Sequence, residues 1–172
     1  MFTFVPEYCF EKFSDATSEF LLSIGVRGIV LDIDNTLEPY EHPRAGEHVI
    51  RWFEALSAAG IKAAIVSNNN EERVSTFNQD FGIPAYAKAG KPFKKNVLRA
   101  IEDMGIKREE AILMGDQVFT DVWAAHNAGI PAILVPPIND RKDLLTKFKR
   151  LLEKPVLSIY KKEKYPSERR LK

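Results

Sequence analysis

Apolar positions along this chain alternate between two periods. Short runs of aliphatic residues end in polar tips, and between them lie stretches with apolar residues at i, i+3, i+4 and i+7. The first run, Gly28 to Leu31, is apolar throughout, as expected of a strand buried on both faces of a parallel sheet. A loop with Pro39, Pro43 and Gly46 leads to a helix carrying Val49, Trp52, Phe53 and Leu56 on one face, and Gly60 stops it. Ile61 to Val66 reads as the second strand. The helix after it carries Val74, Phe77 and Phe81, with Asn69 and Glu72 at capping-box spacing. A short third strand falls near Ala85 to Ala87. Gly90-Lys91-Pro92 then opens a helix with proline in its first turn, and Phe93, Val97, Ile101 and Met104 line its buried face as far as Gly105. Ala111 to Met114 is the fourth strand. Phe119, Val122, Trp123 and His126 mark a helix closed by Gly129, Ile130 to Val135 is the fifth strand, and Asp140 to Glu153 a last amphipathic helix. Such alternation predicts a three-layer α/β/α sandwich around a parallel five-stranded sheet. Three segments follow: 1–27, rich in aromatics (Phe2, Phe4, Tyr8, Phe10, Phe13, Phe20) and packing on the core; 28–154, the α/β domain; and 155–172, a basic tail.

With 172 residues, 45% of them hydrophobic, the chain has material for one core. No apolar run approaches the ~20 residues of a membrane span. The N-terminus lacks the basic and long apolar regions of a signal peptide. Cys9 is the one cysteine, which fits a reducing compartment, so a cytoplasmic protein is expected. The net charge of +1 conceals an asymmetry: from Arg141 onward there are 12 Lys/Arg against 4 Asp/Glu, and before it 13 against 20. A basic tail on an acidic body is suited to phosphate-bearing surfaces, or simply to solvent. Peripheral contact with the inner face of a membrane is the expectation it raises; nucleic acid is not expected as a partner.

Candidate chemistry gathers at the polar tips. Asp32 and Asp34 follow the first strand, Ser67 the second, and Asp116 the fourth, with Asp121 five residues on; Lys91 precedes the helix leading to the fourth strand. A parallel sheet brings these tips to one rim, where ligands of open α/β sheets bind. Two exposed rim acids repel, so a cation or a shared proton must stabilise them. Acids beside a hydroxyl and a lysine suit a hard cation and a phosphoryl group. Taken singly, Ser67 reads as a helix cap, Lys91 as a surface lysine and Asp121 as the cap of the helix near Phe119. His42, His48 and His126 have no metal-ligand spacing and read as structural. Other motifs fail on identity. An EF-hand counted from Asp32 would need Gly and Glu where Leu37 and Pro43 stand, and a P-loop at Gly90-Lys91 would need Gly at Ala85. A cysteine-phosphatase loop from Cys9 would need Arg at Asp15.

Four tips in this order resemble the haloacid dehalogenase (HAD) phosphatase superfamily over Gly28 to Val135. The motif Asp-x-Asp-x-Thr stands as Asp32 to Thr36, the Ser/Thr motif as Ser67, the lysine as Lys91 in Gly-Lys-Pro, and Gly-Asp-x-x-x-x-Asp as Gly115 to Asp121. The resemblance implies Asp32 as nucleophile, Asp34 as general acid and base, and Ser67 and Lys91 as stabilisers of phosphoryl charge. It implies Mg²⁺ held by Asp32, Asp116 and the backbone carbonyl of Asp34, with Asp121 behind them orienting a bound water or Lys91. Asn35, Thr36, Ser67, Asn68 and Lys91 would face the substrate phosphate. The intervals Asp34–Ser67 and Ser67–Lys91 leave no room for a cap domain, so an open site and a large phosphorylated substrate are expected. Asp-x-Asp-Asn-Thr-Leu, Ser-Asn-Asn, Gly-Asp-Gln-x-x-Thr-Asp and Ile133 to Ile138 look most like the capless IIIA-type branch. That branch includes the bacterial YqeG family and the mitochondrial phosphatidylglycerophosphate phosphatases. The resemblance thus suggests a phospholipid headgroup, dephosphorylated to phosphatidylglycerol. A soluble phosphoprotein, nucleotide or sugar phosphate is the alternative. A phosphoacceptor module of the receiver type fits poorly, because Ala87 and Lys88 stand where its phosphorylated Asp would be.

Overall fold

A computed structural model describes residues 4–139; Phe2, the helix expected over 140–153 and the basic tail lie outside them. Six strands, all parallel, form one sheet. In chain order the elements are β1 (Tyr8–Cys9), α1 (Ser18–Ser23), β2 (Gly28–Leu31), α2 (Glu47–Ala58), β3 (Lys62–Val66), α3 (Glu71–Asn78), β4 (Ala85–Tyr86), α4 (Lys95–Asp103), β5 (Ala111–Gly115), α5 (Trp123–Ala128) and β6 (Ala132–Leu134). Across the sheet the order is β1-β6-β5-β2-β3-β4. From β2 the chain steps outward through β3 to β4, then returns to lay β5 on the other side of β2. That reversal makes the carboxyl ends of β2 and β5 the topological switch point, where open α/β sheets leave a crevice.

β2, β5 and β6 are buried on both faces, which is why their sequences are unbroken apolar runs. β1 and β4 at the edges are half-buried, and β3 enters the sheet from an exposed Lys62. Ile29, Leu31, Ile65, Ile112, Met114 and Ile133 face one layer, with Leu21 of α1, Val49, Trp52, Phe53 and Leu56 of α2, and Val74 and Phe77 of α3. Val30, Ala64, Val66 and Leu113 face the other, against Val97 and Ile101 of α4 and Ala124, Ala125 and Ala128 of α5.

The sheet differs from expectation by one strand. β1 pairs in parallel with β6, Tyr8 beside Ile133 and Cys9 beside Leu134, making six strands where five were expected. Two residues are too few to display a strand period. Aromatics around it pack on the domain: Phe20 meets Tyr8 and Phe10 edge-on, Phe13 meets Trp52, and Phe4 meets Phe119 and Trp123. His126 joins the same edge through Glu7, at 3.1 Å.

Two helix starts also differ. Asn70, not Asn69, caps α3, its side chain accepting from the Arg73 N–H at 2.9 Å. α4 begins at Lys95 rather than at Pro92, and Phe93 is 76% exposed instead of lining the buried face. Asn68 holds the segment before the helix: its Oδ1 accepts from Lys91 N–H at 2.8 Å and its Nδ2 donates to Lys91 C=O at 3.1 Å.

Candidate active site

Asp32 leaves β2 with its N–H still bonded to the Met114 carbonyl of β5, so it starts from the sheet's rigid centre. It is not the exposed rim acid that the sequence suggested: it is 7% exposed, and Lys91 Nζ stands 2.9 Å from its Oδ1. The same ammonium donates to Asp121 Oδ1 at 2.6 Å, and both side chains are buried. Lys91 thus bridges two carboxylates. Its pKa is raised: burial works against the charge, but the pull of Asp121 and then Asp32 outweighs it. Asp32 is pushed up to about 6, because burial outweighs the attraction of Lys91 and the Asp121 charge adds to it.

Asp121 reaches Lys91 from a single π-helical turn, Val118–Val122, in which the Asp121 and Val122 amides both bond to the Gln117 carbonyl. Its Oδ2 accepts from the Gln117 N–H at 3.0 Å, so it caps its own turn as well as holding Lys91. Gly115 makes this possible. A Cβ there would overlap the Asp121 carboxylate, which explains why glycine ends β5.

Oxygens of Asp32, Asp116 and Asp121 lie within 4.8 Å of one another, all three residues buried. Thr36 Oγ1 reaches Asp116 at 3.4 Å. Four carboxylates, Asp32, Asp34, Asp116 and Asp121, stand against two cations, Lys91 and Arg73, for a formal charge of −2. An all-oxygen donor set with that deficit fits a hard divalent cation. Because Lys91, Gln117 and Thr120 already engage both oxygens of Asp121, Asp32 and Asp116 are the better-placed carboxylate ligands.

Among the residues expected at the phosphate, Ser67 directly follows β3, 1% exposed, its Oγ accepting from the Asn69 N–H at 3.2 Å. The hydroxyl proton is then the one it can give. Asn35 adopts a left-handed φ of 61°, and its buried Oδ1 has no partner. Asn68 differs from expectation: its amide is used on the Lys91 backbone, so its side chain positions the lysine.

Two acidic contacts were not foreseen. Arg73 of α3 donates from Nε to Asp34 Oδ1 at 2.9 Å and from Nη1 to the Pro43 carbonyl at 2.7 Å, while its Nη2 is buried without a partner. An orphaned buried donor costs about 1–3 kcal/mol. Asn69 Nδ2 holds the other oxygen of Asp34 at 2.7 Å. The signal for Arg73 was its place one helical turn before Phe77, on the buried stripe, where a surface residue does not belong. Glu38, 2% exposed, receives the Gly46 N–H at 2.6 Å with His42 at 3.3 Å and His48 at 3.7 Å, closing the loop after Asp34. Glutamate in a Pro-rich loop carries no such signal.

No domain interrupts these motifs. Between Asp34 and Ser67 lie one loop, α2 and β3; between Ser67 and Lys91 lie α3 and β4. A parallel sandwich with acids at its switch point, a bridging lysine and no cap defines a class, the capless HAD-type phosphatases. Residues 29–135 match the haloacid dehalogenase-like hydrolase family, and the chain belongs to it. It is similar to the "Probable phosphatase YqeG" of Bacillus subtilis (strain 168), 39% identical over 160 residues covering 93% of each chain. A phosphoglycolate phosphatase of Agrobacterium fabrum is 31% identical over 94 residues, 49% of this chain and 40% of that one. Among solved structures, a HAD family hydrolase of Deinococcus radiodurans with bound phosphate and sodium shares the fold at TM-score 0.56 and 17% identity, over 74% of this chain and 89% of the other.

Proposed function

We propose that the chain hydrolyses phosphomonoesters through an aspartyl-phosphate on Asp32, with Mg²⁺ as its cation, and that its substrate is phosphatidylglycerophosphate. The observation carrying the hydrolytic reading is the buried Asp32–Lys91–Asp121 bridge at the switch point, with Asp116 beside it. An oxygen of Asp32 forms a bond to phosphorus as the ester P–O bond breaks, and Asp34 gives its proton to the departing alkoxide. Asp34, now a carboxylate, takes a proton from the water that attacks phosphorus. The P–O bond to Asp32 breaks, releasing inorganic phosphate and restoring both acids. Lys91 holds the Asp32 carboxylate ionised and aimed, and Asp121 holds Lys91. The Ser67 hydroxyl and the Asn35 side-chain amide would donate to the phosphoryl oxygens, whereas the Thr36 hydroxyl is turned to Asp116. Mg²⁺ held by Asp32, Asp116 and the Asp34 carbonyl would neutralise phosphoryl charge.

Support for a lipid substrate comes from the absence of a cap among the described residues and from the resemblance to the branch that contains phosphatidylglycerophosphate phosphatases. A small soluble ester is the second reading, favoured by the partial match to a phosphoglycolate phosphatase. Turnover of phosphatidylglycerophosphate in mixed micelles, phosphoglycolate, nucleotides, sugar phosphates and a phosphoprotein, each with and without Mg²⁺, separates them. The lipid should be turned over fastest, and full activity in EDTA would remove the metal from the account.

A further inference from the structure

We infer that Arg73 is a positioning residue for proton transfer: it fixes the Asp34 carboxyl so that one oxygen faces the leaving group. This inference rests on the hydrolytic reading above and adds a residue to it. Arg73 belongs to α3, whereas Asp34 lies in the loop after β2, so the contact joins two elements that the sheet alone does not hold in register. Its Nε takes Asp34 Oδ1 and its Nη1 takes the Pro43 carbonyl, so a single planar group ties both arms of the loop to α3. Phe77, one turn along the helix, supports the guanidinium from its ring face, with Cζ 5.6 Å from the ring centroid.

The two oxygens of Asp34 are treated differently. Oδ1 accepts from a permanently charged donor, and Oδ2 from the neutral amide of Asn69 at 2.7 Å. Held by a donor at each oxygen, the carboxyl has a fixed rotation about its Cβ–Cγ bond. Nor does this arrangement maximise stability. Arg73 is 8% exposed and leaves Nη2 buried without a partner, a defect that an apolar side chain of similar reach would avoid. An arginine with an unsatisfied nitrogen is accounted for by what its other two nitrogens hold. Because the cap-free loop has no inserted domain to brace it, the brace comes from α3.

The test is a comparison of leaving groups. An alkyl phosphomonoester such as glycerol phosphate expels an alkoxide that needs a proton, whereas p-nitrophenyl phosphate expels a phenolate that leaves without one. Arg73→Met should lower kcat on the alkyl ester by about 10²-fold, the scale of a lost proton transfer, with KM little changed and p-nitrophenyl phosphate affected far less. Arg73→Lys keeps the charge but cannot reach Asp34 and Pro43 together, so it should show the same selective loss in smaller degree. It also serves as the second variant if Arg73→Met does not fold. Backbone amides of residues 35–46 should exchange faster in both variants. Equal loss on the two esters, or no loss on either, overturns the inference. If wild-type protein turns over neither ester nor phosphatidylglycerophosphate, itself an alkyl phosphomonoester, the hydrolytic reading itself fails, an outcome that needs no Arg73 variant to detect.

Discussion

At Asp32, burial and charge act in opposite directions. Burial raises its pKa and Lys91 lowers it, and burial prevails, leaving the group at about 6 against an ordinary 3.8. Between about pH 4 and 6 the metal-free folded chain therefore keeps a proton that the unfolded chain has released, so this group's contribution to stability falls as pH rises through that window. Asp32→Asn removes the window. Thermal melts in EDTA should show wild type losing stability relative to the variant from pH 4 to 6, and the variant melting at or above wild type at pH 7. Its turnover should be abolished. A variant melting well below wild type at neutral pH would mean that the Lys91 attraction dominates. The motif acids were legible as residues because their identity and order in the chain carry the pattern. Their environment was not, since the burial of Asp32 depends on a lysine 59 positions away in the sequence.

The turn after β5 is where a single methyl group should be felt most. Gly115→Ala places a Cβ inside the space of the Asp121 carboxylate, so either the turn shifts or Asp121 leaves Lys91. Overpacking of this kind costs about 1–3 kcal/mol. Displacement of a group that aims the nucleophile can lower turnover about 10²-fold. Melting and steady-state kinetics on the same preparation check both. Turnover falling without a change in melting would show that only Lys91 moved, and neither changing would refute the packing argument. β2 and β5 were legible because burial on both faces makes their sequences unbroken apolar runs, and β3 because only its first residue, Lys62, interrupts one. β1 was not, having two residues and gaining its place from β6. Nor was the start of α4, which follows a segment that Asn68 holds through the Lys91 backbone, a contact with no local trace. Arg73 was legible in principle from its spacing to Phe77, since a charged residue on a buried stripe needs a partner.

Across the whole molecule, an acidic cleft with a formal charge of −2 meets no cap among the described residues, and no described helix is long and apolar enough to cross a membrane. A divalent cation that binds the folded cleft must stabilise the fold by mass action. Mg²⁺ should raise the melting temperature at pH 7.5 and do so less at pH 5, where a proton on Asp32 competes with it. Ca²⁺, with 6–8 ligands where Mg²⁺ takes six, should bind yet inhibit turnover. If the substrate is a lipid, deleting residues 161–172, outside the described structure, should lower activity on anionic vesicles and spare a soluble phosphoester. Each lysine or arginine near such a surface contributes about 1 kcal/mol.

One measurement bears most directly on Asp32. Protein quenched during turnover and reduced with borohydride converts an acyl phosphate to the alcohol, so a phosphorylated aspartate is read as homoserine by peptide mass spectrometry. The mechanism predicts homoserine at Asp32, and at no other carboxylate, in samples quenched with substrate and Mg²⁺. Unmodified Asp32 under conditions that demonstrably accumulate a covalent intermediate, or homoserine at Asp34, Asp116 or Asp121 instead, would contradict it.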